Sequence, residues 1–101
     1  MSRVEGRPYF VYVLWSDAGS RFYLGISEDP ERRLQQHNSA SSVWTSRYSD
    51  WRLVHVEQYL NYTRARKREL VLKKQKGGSG FYKLLGRTRE QLLGARPPSG
   101  T

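Results

Sequence analysis

Residues 9–26 hold two runs of strand-forming residues around four turn residues, and this constrains the chain more than any other feature. Tyr9-Phe10-Val11-Tyr12-Val13-Leu14-Trp15-Ser16 is aromatic and β-branched almost throughout. It lacks the strict apolar–polar alternation of a half-exposed strand, so it predicts a strand buried on both faces. Asp17-Ala18-Gly19-Ser20 is turn chemistry, and Arg21-Phe22-Tyr23-Leu24-Gly25-Ile26 supplies a return strand. A four-residue turn pairs Ser16 with Arg21, Leu14 with Tyr23 and Tyr12 with Gly25. Opposed residues share a face, and side chains alternate along each strand. One face then carries Phe10, Tyr12, Leu14, Tyr23, Gly25 and Ser27. The other carries Val11, Val13, Trp15, Phe22, Leu24 and Ile26, which is uniformly apolar and must be core. Tyr12 lies opposite Gly25, where a missing side chain leaves room for a ring or a ligand.

Downstream of the hairpin, Asp29 and Pro30 predict a helix start, as N-cap and first helical residue, with the helix running to about Asn38. A Ser-rich loop is expected over 39–46, a third strand from Trp51 to Gln58, and a helix from Thr63 to about Lys76 that stops at Gly77-Gly78. Gly80 to Leu85 predicts a short helix. Thr88 to Leu93 adds another, with Thr88 and Gln91 placed for a capping box. Gly94 to Thr101 is expected to fray. The order β-β-α-β-α-α implies an α+β fold, a small three-stranded antiparallel sheet flanked by helices. With 101 residues, one domain over 1–93 is expected, with its core at about 8–85 and a flexible tail at 94–101.

Composition narrows the partners. The net charge is +9, from 18 Lys+Arg against 9 Asp+Glu, which favours a polyanion. No stretch approaches the ~18 to 20 apolar residues of a membrane span, and Met1 to Arg7 has no apolar signal region. The chain has no cysteine, so disulfides, thiolate zinc sites and a cysteine nucleophile are excluded, and a cytoplasmic location fits. His37 and His55 are its two histidines, too few for a histidine metal cluster. Any metal should be a hard cation on oxygen ligands.

Several residues have a bland and a functional reading. Tyr12 and Tyr23 are either sheet residues with their hydroxyls at the rim or paired phenols in a site. At ~100° per residue, Leu34 marks the buried seam of the first helix, with His37 and Arg33 progressively toward its margin. Arg33 is then a solvated charge or a phosphate ligand. His37 is a helix-end histidine that complements the dipole or a group facing a substrate. Glu69 is the one acid of the basic second helix. It is a surface partner for Lys73 or a carboxylate that anchors a cation.

These residues, in this order, resemble the core of the GIY-YIG nuclease family. The first name motif reads Phe10-Val11-Tyr12-Val13-Leu14 and keeps the tyrosine, while Phe10 and Val11 replace the motif's Gly and Ile. The second reads Tyr23-Leu24-Gly25. Ser27 to Asn38, containing Glu31-Arg32-Arg33-Leu34-Gln35-Gln36-His37, is similar to the helix of small stand-alone bacterial members and of the N-terminal domain of the family's excision-repair nucleases. Trp44 to Tyr48 and Trp51 to Val54 look like the family's loop and third strand, and Arg64 to Lys76 like the helix that carries its acid.

The resemblance implies an endonuclease that hydrolyses DNA phosphodiester bonds with one Mg²⁺ or Mn²⁺, selecting structure over sequence. Glu69 would hold the metal, and Arg33 would neutralise charge on the scissile phosphate. Tyr12, Tyr23 and His37 would position or deprotonate the attacking water. Arg47, Arg64, Arg66, Lys67, Arg68 and Lys73 would grip backbone phosphates. The partner would be DNA, branched or single-stranded, with no membrane and no small-molecule cofactor; the oligomeric state stays open. The competing reading is a nucleic-acid-binding module of the same fold without activity.

Overall fold

A computed structural model describes residues 7–39 and 47–94. The expected Ser-rich loop from residue 40 to 46 and the tail beyond Gly94 lie outside them. Strands β1 (Tyr9–Ser16), β2 (Arg21–Ser27) and β3 (Trp51–Tyr59) alternate with helices α1 (Pro30–Asn38), α2 (Tyr62–Gln75), α3 (Ser79–Leu85) and α4 (Arg89–Leu93). The sheet is antiparallel and three-stranded in the order β2-β1-β3, the α+β architecture expected.

The central place of β1 explains its composition. Residues 11–16 are all buried, because each face of the strand is covered and each edge is paired. The hairpin register is the expected one, with Ser16 opposite Arg21, Leu14 opposite Tyr23 and Tyr12 opposite Gly25. The turn is pinned from outside. The Ser16 hydroxyl and the Ala18 N–H both donate to the Asp50 carboxylate (2.6 and 2.9 Å), and the Gly19 N–H donates to the Ser16 hydroxyl at 3.0 Å.

Two apolar clusters sandwich the sheet. On one face Val11, Val13, Trp15, Phe22 and Leu24 pack with Ala65 and Leu72 of α2, Phe81 and Leu85 of α3, and Leu92 of α4. On the other, Tyr12, Leu14 and Trp51 pack with Tyr23, Leu34 of α1, Tyr48 and Leu53. The helix starts follow local chemistry. The Asp29 carboxylate accepts from the Arg32 N–H with Pro30 in the first turn. Asn61 accepts from the Arg64 N–H. Thr88 and Gln91 close the expected capping box.

A partly buried polar network ties α2 to β3. Arg68 Nε and Nη2 donate to the two Glu57 carboxylate oxygens at 2.8 and 3.0 Å, and Nη2 also donates to the Leu84 carbonyl. Tyr59 donates to Glu57 Oε1 at 2.7 Å, and His55 Nε2 lies 2.9 Å from Oε2. Burial pushes the Glu57 carboxyl up, but hydrogen bonds from His55, Arg68 and Tyr59 outweigh it and hold its pKa down to about 2. Burial and the bond to Glu57 push Tyr59 up to about 12.

One close approach lies under the second cluster. A Cβ built on Gly25 would stand 2.5 Å from Tyr12 Oη and 2.6 Å from its Cζ. The Tyr12 ring therefore lies across the space where a β2 side chain would be. Gly25→Ala should force ring or backbone to shift, at about 1–3 kcal/mol for overpacking. The unfolding midpoint should fall by about 4–8 °C per kcal/mol at this size, and an unchanged midpoint would contradict the close approach.

Candidate active site

Of the residues singled out in sequence, Tyr12, Tyr23, Arg33 and His37 come together on the α1-facing side of the sheet, whereas Glu69 and its neighbouring cations belong to α2, which packs on the other face. Tyr12 and Tyr23 come from neighbouring strands, with ring centroids 6.3 Å apart. Across them lies α1, which brings His37 to 4.6 Å from the Tyr23 ring and sets its Nε2 3.1 Å from the Tyr12 hydroxyl. Tyr12 is 1% exposed and His37 fully buried. Tyr23 and Arg33 keep partial exposure. The Tyr12 hydroxyl is therefore an interior group bonded to an imidazole, which excludes the rim placement.

His37 departs from the helical-wheel expectation. Pro30 and His37 are the buried residues of α1, and Leu34 is only partly buried. The histidine occupies the seam and the leucine its side. The phenol explains why: a polar ring is tolerated in the interior when its nitrogen is hydrogen-bonded. Burial, helped by the nearby Arg33 charge, lowers the His37 pKa to about 4. At neutral pH the ring is uncharged, so it is no cationic complement to the helix dipole.

Arg33 is electrostatically coupled to both phenols. Its interaction with Tyr12 raises the guanidinium pKa further, and its Nη1 donates to Gln36 at 2.7 Å. Burial raises the Tyr12 pKa, with Arg33 acting against it and the charges of Tyr23 and Glu69 adding to it. Tyr12 thus feels both a cation and the distant acid of α2.

Glu69 belongs to the buried stripe of its helix. Ala65, Glu69 and Leu72 are the buried residues of α2, so the carboxylate occupies a position that faces the sheet. At 5% exposure it is more than a surface partner for Lys73. Arg66 Nη1 reaches one oxygen at 2.6 Å and Lys73 Nζ the other at 3.2 Å. Both cations are nearly half exposed, at 46% of their side chains, so they can swing aside. Among the described residues, no group of three or more His, Cys, Asp or Glu could hold a metal. One carboxylate with water and a substrate phosphate suits Mg²⁺ or Mn²⁺, which keep much of their own hydration.

The other cations divide by position. Arg47, Arg64 and Lys67 are exposed, and Arg66 and Lys73 flank Glu69. Arg68 differs, because its fork is occupied by Glu57 and the Leu84 carbonyl. Its first task is to hold α2 on β3.

Two supporting groups were not singled out in the sequence. The Asn38 side chain pairs with Trp51 as a strand would, accepting from its N–H at 2.7 Å and donating to its carbonyl at 2.8 Å. This locks the end of α1, one residue past His37, to the start of β3. Glu57 is the second. Its alternation with His55 and Tyr59 along β3 was visible, but its partner Arg68 lies 11 residues away.

The GIY-YIG catalytic domain profile matches residues 8–81. A UPF0213 protein of Enterococcus faecalis (strain ATCC 700802 / V583) is 35% identical over 71 residues, covering 67% of this chain and 80% of the relative. No solved structure matches. The fold and the profile match define a GIY-YIG catalytic domain. The chain belongs to the GIY-YIG family, whose domain is that of endonucleases. Among the described residues, no helix is long and apolar enough to cross a membrane.

The depressed His37 pKa has a measurable consequence. Unfolded, the imidazole titrates near ~6.5; folded, near about 4. Between those values the unfolded chain binds more protons. The stabilisation is therefore complete above the unfolded pKa and is lost as pH falls toward about 4. NMR titration of the His37 ring should give a midpoint near about 4. His37→Gln should flatten the loss of stability over that window, and an ordinary midpoint would contradict the buried placement.

Proposed function

We propose that this protein is a divalent-metal-dependent endonuclease that hydrolyses DNA phosphodiester bonds and selects its substrate by structure. The observation that carries this reading is the buried Tyr12–His37 bond, 3.1 Å long, with Arg33 one turn earlier on the same helix and electrostatically coupled to both phenols. A binding module needs surface cations; it does not need an interior phenol–imidazole pair.

In this reading the scissile phosphate sits on Arg33, whose guanidinium offsets the charge that develops during attack. Tyr23, the more exposed phenol, orients the water. The water's proton passes to the Tyr12 oxygen as the Tyr12 proton passes to His37 Nε2. The Arg33 charge is one cause of the low His37 pKa. A phosphate anion bound at Arg33 offsets that charge, so His37 becomes more basic when substrate is present. Glu69 would hold Mg²⁺ or Mn²⁺, which when bound supplies Lewis-acid stabilisation of the phosphate and leaving oxygens. Asn38 keeps His37 at its station by fixing the end of α1. A cytoplasmic protein acting in DNA repair is compatible with this chemistry.

The test is cleavage of plasmid, single-stranded and branched DNA in Mg²⁺, Mn²⁺ or EDTA. Tyr12→Phe, Tyr23→Phe, Arg33→Ala and Glu69→Gln should each slow cleavage at least about tenfold, or ~1.4 kcal/mol of barrier. Glu69→Gln should also abolish Mn²⁺ binding while DNA binding persists. Lys67→Ala, an exposed cation of α2, should weaken binding without changing the rate at saturation. Wild-type cleavage by Glu69→Gln in Mg²⁺ would refute the metal assignment. A parent protein that binds all three substrates and cuts none would establish the binding module instead.

Affinity for DNA should fall steeply with salt, with a log–log slope of about −0.9 per phosphate neutralised on duplex. The net charge of +9 motivates this expectation. Titrations at several salt concentrations measure the slope, and a flat plot would show that the cations do not contact the backbone.

A further inference from the structure

The first name motif departs from the family pattern at Phe10, where a ring replaces a glycine. The reaction proposed above makes no use of that ring. Phe10 lies on the same face of β1 as Tyr12, two residues along the strand. The two side chains therefore leave the sheet about 7 Å apart. Phe10 is partly exposed. Among the described residues, it packs into neither apolar cluster. Its cross-strand neighbours are Ser27 on β2 and the exposed Gln58 on β3. Val56, the β3 partner of Tyr12, is 41% exposed. The cluster of Leu14, Trp51, Leu34 and Leu53 fills the opposite end of this face. The corner next to Tyr12 thus presents a flat ring, a branched aliphatic and an amide.

We infer that Phe10, Val56 and Gln58 form a subsite for an unpaired nucleobase of the nucleotide adjoining the bound phosphate. An aromatic face accepts any base by stacking, and an amide can pair with an exposed base edge. A base inside a duplex has its faces covered by its neighbours, so only an unpaired or extruded base can lie on Phe10. The basic chain supplies complementarity to the attached backbone, with Arg33 on the helix that crosses the same face. The subsite deepens the nuclease reading: the preferred substrate is unpaired at the cut. It rests on that reading for the place of the phosphate.

The test measures binding in EDTA, where no cleavage occurs. The probes are a short single-stranded oligodeoxynucleotide and the same strand in a duplex. Phe10→Ala and Phe10→Leu should lose about 5- to 150-fold in affinity for the single strand, the range for one stacked base. Leucine keeps apolar bulk without a flat face, so it carries the test if the alanine variant is unstable. Phe10→Trp should restore binding, and duplex affinity should be unchanged in all three. An abasic site moved along the oligonucleotide should reproduce the loss at one position in the wild type and add nothing in Phe10→Ala. Equal losses on single strand and duplex would show a structural role and overturn the subsite. Wild-type affinity in Phe10→Leu would also overturn it and make the corner an apolar surface for another partner. The two readings fail separately. Phe10-dependent single-strand binding by a protein that cuts nothing in Mg²⁺ or Mn²⁺ keeps the subsite and sinks the nuclease. Cleavage that ignores Phe10→Leu does the reverse.

Discussion

The approach of the Tyr12 ring to Gly25 is the contact on which the rest of the site depends. Without a side chain at Gly25, the phenol of the central strand lies over β2 and its hydroxyl meets His37. That bond lets an imidazole occupy the buried seam of α1, where an apolar residue would normally sit. Once His37 is in the seam, Arg33 one turn earlier lies on the same side of α1, coupled electrostatically to both phenols. A methyl group at residue 25 would disturb each of these placements in turn. The glycine of the second name motif thus has a steric cause here, and its backbone needs no unusual conformation.

The second constraint is the placement of a carboxylate in the apolar stripe of a basic helix. Glu69 takes a core-facing position between Ala65 and Leu72, a cost borne only where the charge is paired. Arg66 and Lys73 provide that pairing in the free protein. The orientation of the helix is fixed elsewhere, by the forked Arg68–Glu57 pair and its bond to the Leu84 carbonyl. Adjacent residues of α2 therefore divide the work: Arg68 holds the helix on β3, and Glu69 keeps a buried carboxylate paired with Arg66 and Lys73. Asn38 does for α1 what Arg68 does for α2. Both helices of the site are fastened to β3, the strand that carries none of the proposed catalytic groups.

Much of the fold was legible because its signals are local. The β1–β2 register followed from the turn length, and the starts of α1 and α4 from Asp29-Pro30 and the Thr88–Gln91 box. The tyrosine pair followed from the register. Depth was less legible. The helical wheel ranked Leu34 above His37 because hydrophobicity was the only guide, and the hydrogen bond that makes His37 an interior residue comes from a strand 25 residues away. Glu69 could have been read more firmly, since Ala65 and Leu72 flank it at four and three residues on one stripe. The Asn38–Trp51 and Glu57–Arg68 pairs could not, because they join segments whose proximity exists only in the folded chain.

In the proposed reaction, one phosphate and one metal meet between Arg33, the two phenols and Glu69. A crystal of the protein with Mn²⁺ and a DNA strand carrying a hydrolysis-resistant linkage would test this directly, through the anomalous signal of the metal. The expected result is an Mn²⁺ peak on the Glu69 carboxylate, with Arg66 or Lys73 displaced, and a phosphate oxygen within hydrogen-bond reach of Arg33. A metal bound away from Glu69, or DNA lying along the outer face of α2 with the tyrosine site empty, would contradict it.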